Sequence, residues 1–273
     1  MRQISIFIIV AFIVIGCGKQ ADTINKTTNT AKQEVKASDS ISFEMKSFKK
    51  TYKDCKETEE KCSYLKISYP VFSGSNAVEI NKIIDAYIAD SIFTVEGNSN
   101  NKNLEGLAKT FFADYENALK DASPDFPLVY ALDINCSVVY NKPAALSLSI
   151  DYYINTGGAH PNSYARYFVF NPKSGRQIKL NDLFSNGFEE KLNKLIDKKY
   201  RELRNLKETD RLDGEKGYLF DNFIKYNDNF ILTKEGVNFF YNNYEIAPYA
   251  VGPTELKFTY KELSEILTPE YKQ

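Results

Sequence analysis

His160 is the only histidine in the 273-residue sequence. It stands in the segment Asn155-Thr156-Gly157-Gly158-Ala159-His160-Pro161-Asn162. The paired glycines permit positive φ and close backbone approach. Such a loop can offer the amides of Gly157 and Gly158, the imidazole of His160 and the carboxamide of Asn162 to a ligand. The same pattern also suits a shaped connection whose histidine only hydrogen-bonds a neighbour. One imidazole excludes a multi-histidine zinc site and any mechanism that needs two. A second unusual segment runs from Asn242 to Pro253 and is long, apolar and proline-stiffened. Its Tyr244 and Tyr249, with Glu245 beside them, suit contact with a protein or a glycan, or packing against the core. Nucleophile-elbow, phosphate-loop, zinc-protease and dinucleotide fingerprints are absent. The carboxylates are scattered as on a solvated surface. The reading therefore assigns no catalytic residue, no metal ligand and no cofactor.

The cysteines carry covalent chemistry. Met1-Arg2-Gln3 is followed by an uncharged, largely apolar run from Ile4 to Ile15, ending in Gly16-Cys17. A charged start, about a dozen apolar residues and a small residue at the cut describe an export signal, too short for a spanning helix of roughly 20 residues. A signal ending directly before cysteine resembles the bacterial lipobox, with Val14 where Leu is usual. The expectation is cleavage after residue 16 and diacylglycerol on the Cys17 thiol. Two or more acyl chains then hold the protein stably on a membrane. Cys55 and Cys62 flank a charged, turn-like stretch and are expected to form a disulfide in an oxidising compartment. Cys136 falls on the apolar side of an alternating segment with Leu132, Ile134 and Val138, which implies a buried thiol.

The elements that must position these groups are legible from periodicity. Residues 17–40 are rich in Thr, Asn, Lys, Ser and Ala without apolar period and read as a disordered tether. Strands are expected over 41–54 and 63–72, and amphipathic helices over 76–93 and from Leu104 to about Ser123. Three strands follow, over 128–140, 144–154 and 164–171. The middle one sets Leu146, Leu148, Ile150 and Tyr152 against Ser147, Ser149 and Asp151. A helix from Phe188 to Leu203, a hairpin over 230–241, a strand over 256–259 and a closing helix over 260–267 complete the reading. The order predicts an α+β fold with antiparallel sheets and packed helices, in two consecutive lobes over 41–163 and 164–273. Lys+Arg 35 against Asp+Glu 36 leaves no basic excess, so nucleic acid is not an expected partner. Tyr 19 and Phe 19 with Trp 0 is a strand-friendly aromatic composition.

Several segments taken together resemble a family of bacterial extracytoplasmic domains. They are Thr156 to Asn162, Phe170-Asn171-Pro172-Lys173-Ser174-Gly175, Leu180-Asn181-Asp182-Leu183-Phe184, Phe230-Ile231-Leu232-Thr233 and Tyr244 to Pro253. The family occurs in the lysozyme-sensing anti-sigma factor of Gram-positive bacteria and ahead of the catalytic domain of a peptidoglycan deacetylase. The resemblance covers about residues 41 to 270. It implies a pair of α+β domains and, in one branch, binding of lysozyme. The sequence has no sigma-binding segment, spanning helix or deacetylase domain, so only a binding role carries over. The expected function is a lipid-anchored cell-envelope binding protein, on the outer membrane facing the periplasm. Its expected partner is a lysozyme-type hydrolase or a peptidoglycan fragment. The alternatives are a carboxylate-dependent envelope hydrolase and a structural envelope lipoprotein.

Overall fold

The computed structural model describes residues 40–272 apart from 57–58, 60, 92–102 and 124–126. The export signal, Cys17 and all of the tether but its last residue lie outside the described residues. From Ser40 on, the chain forms one compact unit. In chain order its elements are β1 (Ser42–Thr51), β2 (Tyr64–Ser73), α1 (Ala77–Ala86), α2 (Leu104–Asp121), β3 (Ala131–Lys142), β4 (Ala145–Asn155), β5 (Asn162–Phe170), α3 (Leu180–Leu183), α4 (Glu189–Arg204), β6 (Phe230–Leu232), β7 (Gly236–Tyr241) and β8 (Thr254–Thr259). Strands β1 to β5 make one sheet in that order, and β6 to β8 a second. The architecture is the expected α+β.

The first sheet departs from a pure antiparallel meander at one place. β2 and β3 pair in parallel, Leu65 beside Leu132 and Ile67 beside Ile134. Parallel neighbours need a long crossover, and α1 and α2 supply it. Each helix buries one stripe: Ala77, Ile80 and Ile84 on α1, and Leu107, Ala108, Phe111 and Tyr115 on α2. Asn103 starts α2 by accepting a hydrogen bond from the Gly106 amide at 2.9 Å, which satisfies one of the helix's orphan donors. Both stripes pack on the sheet face made by Leu65, Ile67, Leu132, Ile134, Leu146, Leu148, Ile150, Phe168 and Phe170. Cys136 lies in this core, fully buried, and burial pushes its thiol up to about 12. Cys55 and Cys62 form the expected disulfide, with Cα atoms 5.6 Å apart, closing the connection between β1 and β2.

A second core gathers α3, α4 and the three-stranded sheet. Leu192, Ile196 and Tyr200 of α4 meet Phe239 and Phe258 there, joined by Ala145 and Val169 from the opposite face of the first sheet. The lobe boundary expected after residue 163 falls at the start of β5. That strand pairs with β4 from Asn162 to Phe170, so the first sheet runs on past that point.

The free edge of β5 is covered by side chains rather than by a sixth strand. The Tyr167 amide donates to Asn229 Oδ1 and the Ala165 amide to Asn242 Oδ1, each at 2.8 Å. Asn229 and Asn242 Nδ2 both donate back to the Ala165 carbonyl, and Asn243 Nδ2 donates to that of Ser163. An uncovered edge would offer these groups to another chain. Asn141 serves Ile41 in the same way, with bonds to its amide and carbonyl at 3.1 and 2.8 Å.

One expected helix is absent. Residues 260–267 form successive turns. The Leu263 and Leu267 amides reach back four residues, but those of Ser264 and Ile266 reach back three. Leu267 forms a strand-like bridge with Phe184, and Glu262 turns back to accept from the Thr259 amide and hydroxyl. These tertiary bonds outweigh a helix barely two turns long.

Candidate functional site: an aromatic stack beside an open cavity

The fold brings the two singled-out segments together across a large sequence distance. The His160 ring, on the connection between β4 and β5, stacks on Tyr249 with centroids 4.0 Å apart and planes 20° apart. Tyr249 meets Tyr244 at 5.6 Å. Tyr249 Oη donates to the Pro161 carbonyl at 3.1 Å, and His160 Nδ1 lies 3.0 Å from the same oxygen. That carbonyl therefore ties the histidine loop to the tyrosine loop. Asn242 and Asn243 fix the tyrosine loop along β5, so the stack is positioned by the same bonds that cover the strand edge.

The other candidates divide by role. Gly157 has φ +78°, and a Cβ there would meet the Leu128 side chain at 2.1 Å, so the first glycine is required by the turn itself. The Asn155 side chain accepts from its amide at 3.1 Å. Gly158 is exposed, and Asn162 opens β5 opposite Ile154. Glu245 is committed within the protein, one oxygen accepting from the Asn242 amide at 2.8 Å and the other from Asn227 Nδ2 at 2.6 Å. Tyr244 is 53% exposed and holds a φ of 65°, an uncommon conformation for a bulky residue. His160, Tyr249 and Tyr244 are thus the members that form one outward surface. The histidine's partner is a carbonyl oxygen, not a nucleophile or an orienting carboxylate. Among the described residues, the hydrogen bonds of this group do not pair His160 with a nucleophile.

Two neighbouring features escaped sequence reasoning. The first is the irregular stretch 205–229, anchored by buried Leu212, Leu219 and Ile224, which presents Tyr218, Phe220 and Phe223 at 50–56% exposure. Tyr200 Oη donates to the Gly217 carbonyl. The Phe220 amide donates to the Ile246 carbonyl at 2.9 Å, which sets this aromatic group next to the tyrosine loop. The alternation of outward Tyr218 and Phe220 with inward Leu219 was the available signal. Long ordered loops of this kind are commonly functional. The second is an open cavity of about 480 Å³ on the first sheet, with Lys66, Asp133, Asp151, Tyr153, Ser163 and Phe240 in its lining. Among the described residues, no group of three or more metal-binding side chains occurs, and no helix is long and apolar enough to cross a membrane.

Comparison with known proteins gives separate family matches for two stretches of the chain. No curated protein matches. Two solved structures of DUF3298 family proteins share the fold. One, from Bacteroides fragilis NCTC 9343, superposes with a TM-score of 0.65 at 20% identity, covering 85% of this chain and 96% of its own. The other, from Pseudomonas aeruginosa PAO1, gives 0.64 at 19% identity, covering 84% and 95%. Residues 55–163 match the family model described as deacetylase PdaC, and residues 181–261 match the one described as a protein of unknown function, DUF3298.

Proposed function

We propose that the protein is a lipid-anchored binding protein of the bacterial cell envelope, contacting a lysozyme-type hydrolase or a peptidoglycan fragment through the surface around His160, Tyr249 and Tyr244. The observation that carries this reading is the stack itself. Three rings from two distant segments are held outward by backbone carbonyls and asparagines, with no catalytic partner. Tyrosine is enriched at binding surfaces because it offers a rigid apolar face and a polar tip. The exposed Phe220, whose amide bonds the Ile246 carbonyl, adds an aromatic side chain on a segment tied to the same loop. The match of 55–163 to a model named for a deacetylase, and the resemblance to envelope domains that meet lysozyme, support the location and the class of partner.

Binding of the full chain to lysozyme, and to an array of muropeptides, tests the proposal. Saturable binding is expected, with Tyr249→Ala weakening it roughly tenfold. No binding at roughly 100 µM of either probe would overturn it. The anchor is tested separately. Cys17→Ala is expected to move the protein from the membrane to the soluble fraction and to abolish fatty-acid labelling. Unchanged fractionation without labelling of the parent chain would refute lipidation.

A further inference from the structure

The cavity on the first sheet lies on the face opposite α1 and α2, just where the cover of the second lobe ends. Register sets its floor. Lys66 pairs with Asp133 across the parallel β2–β3 contact. Asp133 faces Tyr153, and Asn135 faces Asp151, across β3 and β4. Phe240 and Pro253 of the second lobe form an apolar wall. The floor groups keep capacity for a ligand. Asp133 accepts from Tyr64 Oη at 2.8 Å and Asp151 from Ser149 Oγ at 2.7 Å, which orients each carboxylate and leaves further lone pairs open. Lys66 takes part in no ion pair among the described residues. Tyr153 is 37% exposed.

We infer that this cavity is a saccharide site, taking one or two pyranose rings of a neutral, amide-bearing glycan. One ammonium, Lys66 on β2, and two carboxylates, Asp133 on β3 and Asp151 on β4, share the floor, so it offers no single-signed field for an ionic ligand. It offers instead donors and acceptors repeated at strand spacing, ~4.8 Å, about the width of a sugar ring. Ring hydroxyls both donate and accept, which suits a floor of carboxylates, an ammonium and a carboxamide. The C–H faces of a sugar suit the flat sides of Tyr153 and Phe240. A mostly apolar recess with a few convergent polar groups is the usual form of a small-ligand site. The inference rests on the envelope reading for the source of the glycan, but it uses different residues from the aromatic stack.

Calorimetric titration of the full chain in detergent separates the two. The probes are the N-acetylglucosamine tetramer, the corresponding glucose tetramer and a zwitterionic dipeptide. The N-acetylglucosamine tetramer is expected to bind saturably, with Asp151→Asn and Tyr153→Ala each weakening it at least tenfold. Both side chains are exposed, so the thermal transition is expected to stay in place. Tyr249→Ala is expected to leave this titration unchanged, even though it weakens binding at the stack. No saturable heat up to roughly 10 mM tetramer, saturation by the dipeptide alone, or full binding by both cavity variants would overturn the inference. Each of those results leaves the stack proposal standing.

Discussion

The two faces of the five-stranded sheet are built from alternate residues of the same strands, and both are largely shut away from water, but by different means. On β4, Leu146, Leu148 and Ile150 face α1 and α2 and are fully buried. The intervening Ala145 and Ser147 are just as buried, beneath the second lobe, and Ser149 is 8% exposed. Two residues further on, Asp151 lies in the open. The helix-covered face is held by apolar burial throughout. The lobe-covered face is held by apolar burial at Ala145 and Val169 and, along the adjoining edge of β5, by directed hydrogen bonds from Asn229 and Asn242, and it gives way to an open cavity with charged groups on its floor. Along β4 the helix-covered face stays buried or half-buried to the end of the strand, whereas the other changes from core to surface.

The helix-covered face should be the more sensitive to truncation. Phe170 is fully buried and stacks on Phe168 at 6.1 Å. Phe170→Ala is expected to cost about 3–5 kcal/mol, from lost transfer free energy and the cavity left behind. Urea unfolding followed by circular dichroism measures it. A loss below about 1 kcal/mol would mean that this face can collapse around the gap, and would remove the contrast between the two covers.

The β5 edge beneath the second lobe should fail through a hydrogen bond instead. Asn229 is 4% exposed and accepts the Tyr167 amide, while Nδ2 donates to the Ala165 and Phe240 carbonyls. Asn242 and Asn227 also serve those two carbonyls, so the Tyr167 amide is the group left without a partner. Asn229→Ala is therefore expected to cost about 1–3 kcal/mol, the desolvation penalty of one buried donor. Hydrogen exchange should accelerate most at Tyr167. Acceleration spread evenly over the first sheet would show that the two covers are not separable.

This contrast also explains which parts of the fold could be read from the sequence. Periodicity located the helices and most strands, because the apolar stripe of α2 and the alternation of β4 are local patterns. It placed Cys136 in the core for the same reason, while the short charged stretch between Cys55 and Cys62 pointed to their pairing. What it missed depends on partners far away in sequence. Ser147 and Ser149 stood out only as the polar side of β4, since alternation reports polarity and not what covers it. The cavity depends on Phe240 and Pro253 reaching a floor laid down more than eighty residues earlier. The segment 260–267 has helical spacing, yet Phe184 and Glu262 redirect it. At the candidate site, the glycine–histidine and tyrosine loops stood out by composition. Only the fold shows that His160 and Tyr249 stack, and that Glu245 is occupied in holding its own loop.

The smallest expected effect is also the most direct probe of the lobe-covered face. Ser147 Oγ is buried and finds no hydrogen-bond partner among the described residues, although its neighbour Ser149 donates to Asp151. A buried hydroxyl without a partner carries a desolvation cost that nothing repays, and removing it leaves no other group stranded. Ser147→Ala is thus expected to be neutral or to stabilise the protein by up to about 1 kcal/mol, a rise of a few degrees at most in the thermal midpoint. Ser149→Ala frees the Asp151 carboxylate instead and should lower stability slightly. If Ser147→Ala destabilises by more than about 1 kcal/mol, the hydroxyl has a partner in solution, such as a buried water. The junction between the sheet and the second lobe would then be wet rather than dry.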